Sequence, residues 1–160
     1  MNLFFIVVGM LLLVSISQVA FAAPPTLKAT GGGWINAVVT TPPEPVVTFV
    51  QGDKKTFGFN AMMTPSGPEG ELQYVDHDFG LVLHSLSVDN LYMTVTGYTF
   101  SGTCRVNGVG VYTYVVYVED NGEPGVWVDI FSITIYGLAD FPGGYYVINT
   151  LSGGNIQIHS

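Results

Sequence analysis

The chain has 160 residues, with four Lys or Arg against twelve Asp or Glu and a formal net charge of −8. That balance excludes a footprint for nucleic acid or for anionic membrane surfaces, both of which need clustered basic side chains. An apolar fraction of 48% excludes global disorder, and 20 Gly, 9 Pro and sparse charge point to short strands and tight turns.

Residues 3–14 form a nearly unbroken apolar run, followed by Ser15, Ser17 and Gln18 and then Ala20-Phe21-Ala22. Signal peptidase accepts small residues at the first and third positions before its cut. The pattern predicts a helical signal peptide over 1–22 and a single all-β domain over 23–160, with no membrane contact after cleavage. The run is short for a bilayer span, and a retained N-terminal anchor is the alternative. The remaining chain is long enough for a core without staples. Cys104 is the one cysteine, so no intrachain disulfide can form. Its strand parity with Phe100 and Val106 predicts a buried, unreactive thiol.

Alternation of apolar and polar residues, not a helical period, recurs along the rest of the chain. The first strand is expected over 34–40, led by Gly31-Gly32-Gly33 and with Trp34 mostly buried. Pro42-Pro43-Glu44-Pro45 is a stiff connector. In 56–61, Phe57, Phe59 and Ala61 face one way. Residues 65–70 read as a loop, 71–77 and 81–88 as strands. A long β-rich stretch over 91–106 is punctuated by Gly97 and Gly102, which imply a bend or bulge. Asn107-Gly108 and Asn121-Gly122 offer the positive φ of type I′ turns. Residues 111–119 and 128–136 are the clearest strands and should pair as an antiparallel hairpin. Pro124 cannot donate to a ladder, so the loop joining them must exceed two residues. Residues 145–150 and 155–159 close the chain. About nine strands with turns at short intervals give an all-β fold, an antiparallel β-sandwich or barrel.

Three clusters carry candidate chemistry. Asp120, Asn121, Glu123 and Asp129 crowd oxygen donors around a Gly-bent loop, as a calcium site requires. A hairpin turn whose acids cap backbone N–H groups would use the same residues. Asp76 and His84 come within reach of each other if 78–80 form a three-residue turn, which pairs residue 77 with 81 and 74 with 84. The pair could then serve as a base, a metal ligand or a ligand-binding pair, or it could simply hydrogen-bond across the hairpin. A slip of one residue destroys that geometry. Trp127, just past a turn, is the best candidate for an exposed aromatic platform of the kind that stacks on sugar rings, while Tyr112, Tyr114, Tyr117, Tyr145 and Tyr146 suit packing. No phosphate cradle, G-x-S-x-G, H-E-x-x-H or Cys pair occurs, and no catalytic residue is assigned.

Several segments in order carry a resemblance. They are Gly31-Gly32-Gly33-Trp34-Ile35, Phe57-Gly58-Phe59-Asn60-Ala61, Leu72-Gln73-Tyr74-Val75-Asp76-His77 with His84, and Phe100-Ser101-Gly102-Thr103-Cys104 with Val106-Asn107-Gly108. Asp120-Asn121-Gly122-Glu123-Pro124-Gly125, with Asp129 and Phe131, and Gly153-Gly154-Asn155-Ile156-Gln157-Ile158-His159 complete the set. Together they resemble the post-COAP-1 type domain, a family of small secreted β-domains of prokaryotic surface proteins. The resemblance implies an extracellular β-domain, often one module of a surface protein, and no catalytic residues.

These readings combine into a secreted, non-enzymatic domain with a structural or adhesive role at the cell surface or in extracellular matrix. The alternative is an extracellular module that binds carbohydrate or a small ligand, stabilised by calcium if the acidic loop takes a metal. The partners expected are surface or matrix components, carbohydrate among them, and no cofactor besides calcium is expected.

Overall fold

Alternation decides which side chains enter the core. In β2 (Asp53–Thr64), Phe57, Phe59 and Ala61 are buried, and in β8 (Ile130–Tyr136) Phe131, Ile133 and Ile135 are fully buried. The structure is a computed structural model and describes residues 27–40 and 53–159. The expected signal peptide and the 42–45 connector lie outside the described residues. The other strands are β1 (Lys28–Ala37), β3 (Gly67–Asp76), β4 (Leu81–Ser85), β5 (Asn90–Met93), β6 (Tyr98–Val106), β7 (Val109–Glu119), β9 (Tyr145–Thr150) and β10 (Gly153–His159). Among the described residues they form one antiparallel sheet in the order β10-β1-β2-β3-β4-β6-β7-β8-β9, with β5 beside β6. The sheet curls into a half-barrel.

Aromatic rings fill the inside. Phe57 stacks on Phe131 with centroids 3.9 Å apart, Phe59 lies 5.1 Å from Phe100, and Tyr74 lies 6.2 Å from Phe131. The glycine run is part of β1 and not a lead-in to it. A Cβ on Gly31 would sit 2.6 Å from the Phe59 ring and 2.9 Å from Ile156, so glycine lets a phenylalanine lie against the strand. β1 ends at Ala37, and Thr40 makes an isolated bridge to Tyr146. Trp34 is half-buried and not mostly buried: it lies on the outward parity of β1, against Gly153, with Lys54 Nζ 4.9 Å from its ring.

The expected hairpin of 111–119 with 128–136 is present, as β7 against β8 from Glu119↔Ile130 to Thr113↔Tyr136. Asn107 and Gly108 have φ 53° and 76° and join Val106 to Val109, the type I′ turn expected there. Asn121-Gly122 differs: Gly122 has φ 158°, far from the left-handed value of that turn. Only Pro65 and Ser66 turn between β2 and β3, so most of the expected 65–70 loop is strand. β4 pairs β3 only from Gln73 to Asp76, and Pro68 therefore needs no partner on its second side. The 91–106 stretch is two strands: Thr94 closes a reversal through its Oγ1, which donates to Gly97 O at 2.9 Å and accepts from Gly97 N at 3.0 Å. Gly102 marks a close approach to Ser87 O, and the bulge falls between Cys104 and Val106.

β9 and β10 are two halves of one bent strand. β9 pairs β8, β10 pairs β1, and the consecutive strands draw the two ends of the sheet path together. At the corner, Leu151 N donates to Asp129 O and Ser152 N to Trp34 O, both at 2.9 Å.

Cys104 is fully buried, as its parity predicts, and burial pushes its thiol up to about 12. The native protein should leave a thiol-disulfide reagent unreacted at mildly alkaline pH and titrate one thiol only after denaturation. Rapid reaction of the native protein would contradict this placement.

Candidate functional site

The acidic loop between β7 and β8 lies over the outer edge of β10. Every second N–H of that strand points away from β1, and among the described residues no strand meets it there. Side chains stand in for the missing strand. Asp129, fully buried, accepts from Ile156 N through Oδ2 at 2.9 Å and from Asn121 N through Oδ1 at 2.9 Å. Asp120 Oδ2 accepts from Ile158 N at 3.0 Å, and Asn155 Oδ1 accepts from Gly125 N at 2.7 Å. Glu123 Oε1 accepts from Asn155 Nδ2 at 2.9 Å and Gln157 Nε2 at 3.3 Å, bonds that hold its carboxyl below the usual range. Asn121 Nδ2 donates to Glu119 Oε2 and Val128 O. Burial pushes Glu119 up, but donors on Tyr117, Asn121 and Thr96 outweigh it and hold that carboxyl low.

The four residues read as a calcium set are thus brought to one seam: the three carboxylates accept from N–H groups, and Asn121 donates from its backbone and its side-chain amide. Among the described residues, no group of three or more His, Cys, Asp or Glu is arranged to hold a metal ion. A melting temperature measured in excess chelator should equal that in millimolar calcium. A calcium-dependent rise would show that the loop exchanges these bonds for metal ligands.

Asp76 and His84 are not brought together, which corrects the paired reading. The register is Asp76↔Leu81 and Gln73↔His84, one residue away from the expected pairing. The turn holds four residues, because Asp76 Oδ1 accepts from Asp78 N at 2.9 Å and from Phe79 N at 3.4 Å and so closes the reversal itself. The slip sends Asp76 into the core and leaves His84 exposed on the opposite face. His77 takes up the outer position, its Nε2 3.1 Å from Thr56 Oγ1.

Asp76 belongs instead to a buried polar network. Lys55 lies opposite it in the ladder, 1% exposed, with Nζ 3.0 Å from Asp76 Oδ1 and 2.9 Å from Asp78 Oδ2. Tyr145 OH donates to Asp76 Oδ2 at 2.6 Å and is hydrogen-bonded to Tyr74 OH. Burial pushes the Asp76 carboxyl up, but the Tyr145 and Lys55 bonds, the Asp78 N–H and the Lys55 charge outweigh it and hold the group below the usual carboxylate range. Burial raises the Tyr145 phenol, reinforced by Tyr74 and Asp76, and raises Tyr74 as well. Sequence reasoning missed Lys55 and Tyr145. The available signal was parity: Lys55 stands in register with Phe57 and Phe59, as Asp76 does with Leu72 and Tyr74.

Trp127 is 70% exposed, as expected of the aromatic platform. Its φ of 70° is left-handed, a strained choice for a non-glycine residue, held by Trp127 N donating to Leu151 O at 2.8 Å. Trp34 and Trp127 are therefore anchored at successive residues of the Leu151-Ser152 corner. Tyr114 and Tyr145 are fully buried, while Tyr112, Tyr117 and Tyr146 are half-buried, so packing claims most of the tyrosines. At the opposite end of the barrel, Phe79, Leu81, Tyr112, Leu138 and Phe141 line an open cavity of about 480 Å³, with Asp140 and Asn107 at its wall. Phe79, 59% exposed, meets Phe141 edge-on at 5.5 Å, and Phe141 meets Tyr145 at 5.3 Å.

Comparison of the chain with models of protein families, with curated proteins and with solved structures returns no match.

Proposed function

We propose that this chain is a secreted, non-enzymatic β-domain with a structural or adhesive role at a cell surface or in extracellular matrix. The resemblance to the post-COAP-1 type domain and the N-terminal apolar run support the compartment. The observation that carries the role is that the polar candidates act as struts. Asp76, Lys55, Asp120, Asp129 and Glu123 are engaged by internal partners, and among the described residues no buried side-chain N or O lacks one. A catalytic acid or base needs a group free to meet a substrate.

Trp127 favours a second reading within the same role, the binding of carbohydrate. Its left-handed backbone holds the indole out in solvent, the kind of conformational outlier that gathers at ligand-binding sites. The ring offers an apolar face to sugar C–H groups. Purified full-length chain should be retained on cell-surface or matrix polysaccharide, and Trp127→Ala should weaken retention at least several-fold with the melting temperature within a few degrees of the parent. Equal retention of parent and variant would remove Trp127 from the reading. No retention of either on any surface or matrix preparation would remove the adhesive role.

A further inference from the structure

We propose that Lys55 and Asp76 condense to an intramolecular amide that staples β2 to β3 from inside the barrel. The two side chains are 1% and 0% exposed, directly opposite in register, with Nζ 3.0 Å from Oδ1. The surroundings supply each part that amide formation needs. A second carboxylate, Asp78, has Oδ2 2.9 Å from the same Nζ and can take its proton. Asp78 N and Phe79 N meet Asp76 Oδ1 at 2.9 and 3.4 Å, where negative charge develops when nitrogen adds to Cγ. Tyr145 OH holds Oδ2, the oxygen that departs, at 2.6 Å.

The resting pair is ionised, and the reaction proceeds through the minor state in which Nζ has given a proton to Asp78. The Nζ lone pair forms a bond to Cγ, and the Cγ–Oδ2 bond breaks. The two protons that Nζ gives up leave with Oδ2 as water, while Asp78 and Tyr145 carry protons and end as they began. No oxidant or co-reactant enters. Amides do not form readily from free amines and carboxylates in water. Here the reactants are held in contact, the equivalent of a very high local concentration. The product also replaces two buried charges, whose desolvation is unfavourable, with one neutral amide. The inference stands apart from the adhesive reading, since it concerns groups that face the core.

Trypsin digestion of the denatured full chain tests it. A linked chain cannot be cut after Lys55 and yields peptide 55–105 one water lighter than its sequence, with fragment ions that join Lys55 to Asp76. Lys55→Arg keeps the charge and should give peptide 56–105 at its sequence mass. Asp78→Asn should slow linking of freshly made protein by on the order of 10²-fold, with circular dichroism confirming the fold. Parent protein that yields free peptide 56–105 at its sequence mass after long incubation at neutral pH overturns the proposal. An amide mapped to Asp78 overturns it equally.

Discussion

Asp76→Ala should lower the unfolding free energy by about 3–5 kcal/mol, the loss typical of removing one partner from a buried ion pair. Lys55 would keep an ammonium in the core with only Asp78, itself partly exposed, to answer it. Tyr145 OH, Asp78 N and Phe79 N would lose their acceptor in the same step. Urea unfolding should show a lower midpoint with an unchanged slope. Replacing both partners, Lys55→Met with Asp76→Leu, should recover part of the loss, because an apolar pair carries no desolvation penalty. In the ion-paired state this stability also has an acid limb. The folded carboxyl titrates below its unfolded value near about pH 4. Its contribution is therefore full above that value and fades as pH falls through the lower folded one. A linked protein has no Asp76 carboxyl to titrate and lacks that limb. A loss under about 1 kcal/mol in Asp76→Ala would mean that water reaches the network.

Asp129→Ala should be nearly as damaging, by about 2–5 kcal/mol, through two orphaned backbone donors, Asn121 N and Ile156 N. The effect should concentrate at the C-terminus. Asp129 ties the loop to β10, and Ile156 is the fully buried residue that β10 contributes to the core. Asp129→Asn keeps one acceptor oxygen and should fall between the parent and the alanine variant. Limited proteolysis should release the C-terminal segment first. A variant that melts like the parent would show that β10 is held by β1 alone.

These two sites also mark where the sequence stops being legible. Strands β7 and β8 could be read because nine-residue alternation and the loop-lengthening Pro124 agree. Asn107-Gly108 could be read because two consecutive positive-φ residues between strands have one common use. The Asp76–His84 pairing could not, because turn length there depends on Asp76 capping its own turn, a bond that exists only once the turn has formed. Gly31 looks like a break in sequence, yet it is placed by the ring of Phe59 on the neighbouring strand. The acidic loop was legible as a cluster but not as a clamp. Its partner is the outer edge of β10, some thirty residues on (Asp129 to Ile156 spans 27), and only the curl of the sheet brings the two together. An edge strand covered by carboxylates is also protected against pairing with another chain, which gives the acids a use that needs no ligand.

Carboxylates of the 120–129 loop replace a strand along β10. Amide hydrogen exchange at Ile156 and Ile158 in the parent protein tests it most directly. Both amides should be protected to a degree approaching that of core residues such as Ile133, equally in chelator and in calcium, and Asp129→Ala should release Ile156. Exchange of both amides at the rate of an open sheet edge, or protection that appears only with calcium, would contradict it.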